Sequence, residues 1–176
     1  MNVFKENKAA IYFLLVFVGL YLILNTVYGL YVEWYSPQPD PITLLVSKQV
    51  AGFLTLWDAS VVAVPIDASK NVSIRNGYRT VINVFEGCNG INVMIVFISF
   101  LVAFRGKLKA TILFALMGFF IIYLMNIARV SLLYAVEIYW PRYLYLFHKY
   151  LFTGMIYAVV FALWYLWVKQ VKRAAN

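Results

Sequence analysis

Cys88 is the single cysteine of this chain and stands in Glu86-Gly87-Cys88-Asn89-Gly90, directly before an apolar run. Arg129 closes Asn126-Ile127-Ala128-Arg129 at the edge of the next apolar run, and His148, the single histidine, opens the last one in Leu146-Phe147-His148-Lys149. A thiolate attacks carbonyl carbon, and histidine is the usual group that takes a thiol's proton and returns it to a leaving amine. Asn126 lies three residues before Arg129 on the same helical face, so an amide and a guanidinium could together hold a carbonyl oxygen or a developing oxyanion. The chemistry these groups share is acyl transfer through a thioester.

Each residue also has an ordinary role when taken alone. A lone cysteine in an apolar chain is a small filler or a palmitoylation site, an arginine at the end of an apolar run snorkels, and a histidine just outside such a run sits in water. Position argues for more at Cys88. A helix that begins there would lower the thiol's pKa through its free N–H groups and dipole, and Gly87 and Gly90 would let a substrate backbone approach. Glu86, Asn89 and Gly90 are therefore expected to support the site, beside Asn126.

The elements that must position these residues are membrane helices. The 176 residues are 64% hydrophobic, 19% aromatic and only 12% charged, too apolar for a soluble domain of this size. They form one domain, 1–176, with runs of spanning length near 9–32, 88–104, 110–133 and 149–168. The second reaches ~20 residues only if its helix starts near Cys88. The first run is preceded by Lys5 and Lys8 but is too long for a signal-peptide core and has no small-x-small cleavage site, so it reads as a retained anchor.

Basic residues set the orientation. Lys5, Lys8, Arg105, Lys107, Lys109, Lys169, Lys172 and Arg173 fall at one side, eight of the 15 bases against one of the seven acids, Glu6. By the positive-inside rule both termini and the Arg105 turn are cytoplasmic, and Cys88, Arg129 and His148 share the outer face of the cytoplasmic membrane. The net charge of +8 thus reports topology, and a nucleic-acid partner is not expected.

The outer region, 33–87, begins with Ser36-Pro37-Gln38-Pro39-Asp40-Pro41, where three alternating prolines exclude a helix. From Ile42 to Val64 the apolar spacing predicts an amphipathic or re-entrant helix, lying on the membrane or packed across the bundle. Asn71–Ile74 and Thr80–Val84 alternate around Asn76-Gly77, which predicts a small β-hairpin leading into the Cys88 turn. The fold class is an all-α polytopic membrane protein with about four transmembrane helices, that outer helix and the hairpin.

Together these motifs resemble the exosortases and archaeosortases. Glu86-Gly87-Cys88-Asn89-Gly90 is similar to their Cys-Ser/Asn-Gly signature, Asn126-x-x-Arg129 to their arginine motif, and His148 falls where their histidine opens a late transmembrane helix. The resemblance covers roughly 81–168 and is closest to the compact exosortase of the F type. It implies a membrane-embedded cysteine protease and transpeptidase with Cys88 as nucleophile, His148 as general acid and base, and Arg129 stabilising the thiolate or oxyanion. Its substrates would be exported proteins ending in a short motif, a transmembrane helix and a basic tail, transferred to a surface acceptor or released by water. No cofactor or metal is implied, since one histidine and one cysteine do not complete a tetrahedral ligand set. Two rival classes are a non-catalytic membrane scaffold or assembly factor, and a small transporter lined by Asn126 and Arg129; full activity of Cys88→Ala would favour either.

Overall fold

The computed structural model describes residues 7–175, so Lys5 and Glu6 lie outside the described residues. The element order is α1 (Lys8–Trp34), α2 (Pro41–Leu54), β1 (Val61–Pro65), β2 (Val72–Asn76), β3 (Arg79–Val84), a 3-10 turn (Glu86–Cys88), α3 (Ile91–Ala103) and α4 (Leu108–Tyr139). The last segment then passes through a 3-10 turn (Pro141–Tyr143), α5 (Leu144–Leu146), a π-helical stretch (Phe147–Phe152) and α6 (Thr153–Ala175).

Three helical segments are long and apolar enough to cross a membrane: Lys8–Trp34, Leu108–Tyr139 and Pro141–Arg173. Most apolar side chains of α1 face outward, Leu15 and Leu30 being about two-thirds exposed, as expected where lipid is the solvent. The second apolar run forms α3, only 13 residues and so about 20 Å long. With the turns at its two ends it packs along α1 from Tyr12 to Tyr28. Asn89, before its start, bonds Tyr28, and Arg105, after its end, stacks over the Tyr12 ring at 4.2 Å. Phe13 and Phe17 of α1 meet Phe100 of α3 edge to face, with ring centres 5.5 and 6.5 Å apart.

The Arg105 turn is also pinned to α6. A Cβ on Gly106 would lie 2.5 Å from the Trp167 ring, so only glycine lets the turn close on that side chain without displacing it. The start of α1, the Arg105–Lys107 turn and the end of α6 therefore share one end of the bundle. Below it, Phe97, Leu101, Phe114, Ile122, Val160 and Trp167 form a core that joins α3, α4 and α6.

At the opposite end the outer region folds into a cap. Asp40 starts α2, its Oδ1 accepting from the N–H groups of Ile42 and Thr43 at 3.0 Å each, with Pro41 in the first turn where a missing N–H costs nothing. Thr43, Val46, Ser47, Val50, Ala51 and Leu54 are buried along one face of this helix. The expected helix from Ile42 to Val64 is thus cut short at Leu54. Asp58 accepts from the backbone and hydroxyl of Ser60 and from the Asn76 amide, which turns the chain, and the β-branched Val61 and Val62 enter a strand paired with β2. The outer hairpin is consequently two strands of a three-stranded antiparallel sheet in the order β1-β2-β3. Asn76 pairs with Arg79 and Gly77 supplies the positive φ of 56° that the tight turn needs.

Val61, Ile74 and Val84 of the sheet pack with Val46, Val50 and Leu54 of α2 and with Val130 and Tyr134 of α4, and Cys88 belongs to the same cluster. At 32 residues α4 is about 48 Å long, well beyond a hydrocarbon core of ~30 Å, so its second half can carry Asn126, Arg129 and Glu137 up to the cap.

Candidate active site

The thiol sits on a turn that is held from three sides. Phe85 is extended, the chain closes one 3-10 turn in which the Cys88 N–H donates to the Phe85 carbonyl at 2.8 Å, and Gly90 then takes a φ of 87° before α3 begins. The Asn89 Oδ1 accepts from the Ile91 N–H at 3.0 Å and caps the first turn of α3. The same amide donates from Nδ2 to the Tyr28 hydroxyl at 2.6 Å and to Thr43 Oγ1 at 2.9 Å, while Thr43 donates to the Asp40 carboxylate at 2.5 Å. Asp40, Thr43 and Asn89 are all buried, so each of these bonds satisfies a group that water cannot reach.

From the third side comes α4. Asn126, fully buried, donates from Nδ2 to the Cys88 carbonyl at 2.9 Å, and its Oδ1 accepts from Arg129 at 3.5 Å. The expectation that Asn126 would face an oxyanion therefore changes: one N–H is committed to the backbone beside the nucleophile, and the side chain positions the turn. Gly90 has a related reason. A Cβ there would fall 3.1 Å from Asn126 Cγ, so the glycine admits this amide as well as the left-handed backbone. Gly90→Ala should lower stability by about 1–2 kcal/mol, read as a fall in thermal midpoint in detergent. Gly87→Ala is the contrast, since its Cβ would meet only the far edge of the half-exposed Phe85 ring and its φ is not positive.

Arg129 is 8% exposed and has no carboxylate partner; the one ion pair among the described residues joins Lys70 and Glu33. The positive charge of Arg129 acts on the Cys88 thiol, favouring the thiolate, while its buried Nε has no hydrogen-bond partner. Burial nonetheless pushes the thiol's pKa up, with Glu86 adding to the rise and Arg129 opposing it. The expected lowering by a helix N-terminus is thus reversed. Cys88 precedes the first residue of α3 by three and is only 5% exposed in an apolar cluster, so desolvation outweighs the favourable charge. The sign gives a prediction. Alkylation of Cys88 by iodoacetamide should rise with pH through a range above that of an ordinary thiol, ~8.5, and Arg129→Gln should move the midpoint higher still. A midpoint unmoved or lowered in that variant would show that the guanidinium does not act on the thiol.

His148 lies within the π-helical stretch, one of the rare places where an added residue per turn re-aims side chains, and its carbonyl is taken up by Thr153 Oγ1 at 3.0 Å. The fourth run therefore begins earlier than residue 149, and the histidine is inside its helical segment. Cys88 and His148 line a common cavity of about 430 Å³ enclosed by β3, the Cys88 turn, α4 and α5. The charge of Arg129 reaches both of them. Val81, Val84, Phe85, Val130, Leu133 and Leu144 make most of the wall apolar, and Asn83, Glu137 and Tyr145 add polar groups.

The structure thus brings Cys88 and His148 to one cavity, with Arg129 near enough for its charge to act on both, Asn126, Asn89 and Gly90 shaping the turn and Glu86 beside it. Sequence reasoning missed Tyr28, Asp40, Thr43 and Glu137. Asp40-Pro41 carried a visible helix-start signal and Glu137 was a lone acid in an apolar run, whereas nothing local marked Tyr28 or Thr43. No curated protein and no solved structure matches this chain. The model for the transmembrane exosortases matches residues 8–168, nearly the whole length, and the chain belongs to that family.

Proposed function

We propose that this exosortase is a membrane-embedded cysteine peptidase and transpeptidase that cuts a C-terminal sorting signal of exported proteins. The observation that carries the reading is the shared cavity: a buried thiol and the chain's only histidine open into one space, and a guanidinium without a carboxylate partner acts on the thiol. In this mechanism His148 takes the Cys88 thiol's proton, Arg129 stabilises the charge that forms on Sγ, and Sγ attacks the scissile carbonyl. The tetrahedral adduct collapses to a thioester as His148 gives a proton to the leaving amine. An amine or water then attacks the thioester, its proton passes by way of His148 to the departing sulfur, and the thiol is regenerated. Apolar walls keep bulk water from the thioester and strengthen each charge interaction inside.

Orientation comes from the bundle. The described basic clusters gather at the end opposite the cap, so α1, α3, α4 and α6 make four passes, both termini are cytoplasmic, and the cavity opens at the outer face of the cytoplasmic membrane. The short α3 completes its pass with the Cys88 turn and the Arg105 turn, at a depth where the cap and α4 shield its ends.

One experiment tests chemistry and side together. Exported reporters are fused to C-terminal tails from the same genome that carry a short motif, an apolar helix and a basic end, and are co-expressed with the protein in cells converted to spheroplasts. The expected result is a hydroxylamine-sensitive adduct between reporter and Cys88, and block of processing by a membrane-impermeant thiol reagent added outside. Processing that continues under the reagent, with Cys88 shown to be modified, would overturn the reading.

A further inference from the structure

Glu137 is the one carboxylate among the residues that line the cavity. It lies on the face of α4 that also presents Val130 and Leu133, at the i, i+3, i+7 spacing of a single helical stripe. Its carboxylate takes part in no ion pair and no hydrogen bond among the described residues, although it is only partly exposed. It also stands in the last turn of α4, where free carbonyls carry partial negative charge and no basic residue offsets them. An acid in that place, facing a mostly apolar cavity, lacks the cation that would make its position favourable. Arg129, the cation of the site, is engaged with the thiol and with Asn126.

We propose that Glu137 anchors a subsite of this cavity for a protonated primary amine, placed to reach an acyl group on Cys88. This rests on the transpeptidase reading and deepens it by naming the acceptor class. An ammonium held by Glu137 gives one proton to neutral His148, and the free amine attacks the thioester carbon. The C–N bond forms, the C–S bond breaks, and the second amine proton leaves with the departing thiolate. The products are an amide, the Cys88 thiol and a protonated His148, so charge and atoms balance. The same subsite would also accept the side chain of a basic residue next to the scissile bond, since both sources present an ammonium.

The test uses the full-length protein in lipid nanodiscs, acylated at Cys88 with N-acetylglycine thiobenzyl ester. Capture of the acyl group is followed with 1,4-diaminobutane, which is cationic at neutral pH, and with hydroxylamine, which is mostly neutral. The ratio of the two rate constants should fall about tenfold in Glu137→Gln, the loss expected for one charge-assisted contact, and recover in Glu137→Asp. Acylation is compared in parallel with Nα-acetyl-lysine and Nα-acetyl-norleucine thiobenzyl esters. A drop in the lysine preference in Glu137→Gln assigns the ammonium to the donor, and a drop in the diaminobutane ratio assigns it to the acceptor; both support the subsite. Both ratios unchanged within twofold would overturn it. Failure of the unaltered protein to acylate Cys88 at all would instead overturn the transpeptidase reading, and the amine subsite with it.

Discussion

Cys88→Ser is expected to stop processing of tail-bearing reporters, by about 10³-fold or more, while the protein still inserts and accumulates at the wild-type level. The substitution is close to isosteric, so the apolar cluster around residue 88 and the Asn126 bond to its carbonyl both persist. What is lost is the nucleophile. Burial already opposes ionisation of the thiol, and a hydroxyl, far less acidic, would need a stronger base and a larger charge than one guanidinium supplies. The measurement is the fraction of reporter processed per unit of immunodetected protein. Processing by Cys88→Ser at more than roughly a tenth of the wild-type rate would remove the cysteine from the mechanism.

The second large effect falls on His148. His148→Ala should slow peptide-bond processing by about 10²–10⁴-fold, the range for loss of a positioned acid–base group. It should do so selectively. Arg129, whose charge favours the thiolate, is untouched in this variant, so the reactivity of Cys88 toward iodoacetamide should change little. An activated thioester donor expels a thiolate that needs no proton, so acylation by such a donor should suffer far less than cleavage of an amide, whose leaving amine must be protonated. Comparing the two donors on one preparation separates the roles. Equal losses on amide and thioester donors would mean that the substitution had damaged the cavity, through Tyr145, Leu144 or the π-helical stretch, and would refute a general-acid role.

How much of this was legible beforehand differs from element to element. The long apolar segments were readable because lipid-facing helices must be apolar over their whole surface, and α1 and α4 need no neighbour to declare them. The hairpin was readable because Asn76-Gly77 marks a tight turn, although the two-residue connection is Gly77-Tyr78, with Asn76 the last residue of β2 and Gly77 at positive φ. The end of α2 was not. From Ile42 to Val64 the apolar spacing continues, and what stops the helix at Leu54 is Asp58 bonding Ser60 and Asn76, the latter 18 residues away in the chain.

For the site, residue types alone singled out Cys88, Asn126, Arg129 and His148, since a unique thiol, a unique imidazole and a charge at the edge of apolar runs are rare enough to notice in one chain. Their surroundings were decided by tertiary structure. The sequence placed Cys88 at a helix start, where its thiol would be acidic, but packing of α2, the sheet and α4 around it buries the thiol, and desolvation reverses the shift. Gly90 looked like room for a substrate and proved to be room for Asn126, a side chain from a different helix. Tyr28, Asp40 and Thr43 reach the Cys88 turn only because α1 and α2 fold back on it, and Glu137 meets the cavity only because α4 continues past the expected run 110–133. Local sequence therefore determined which groups could do chemistry and which segments enter the membrane, because those depend on bond types and on solvent. Which groups are dry, which are paired and which share a cavity depended on contacts between distant segments, whose energies no local pattern records.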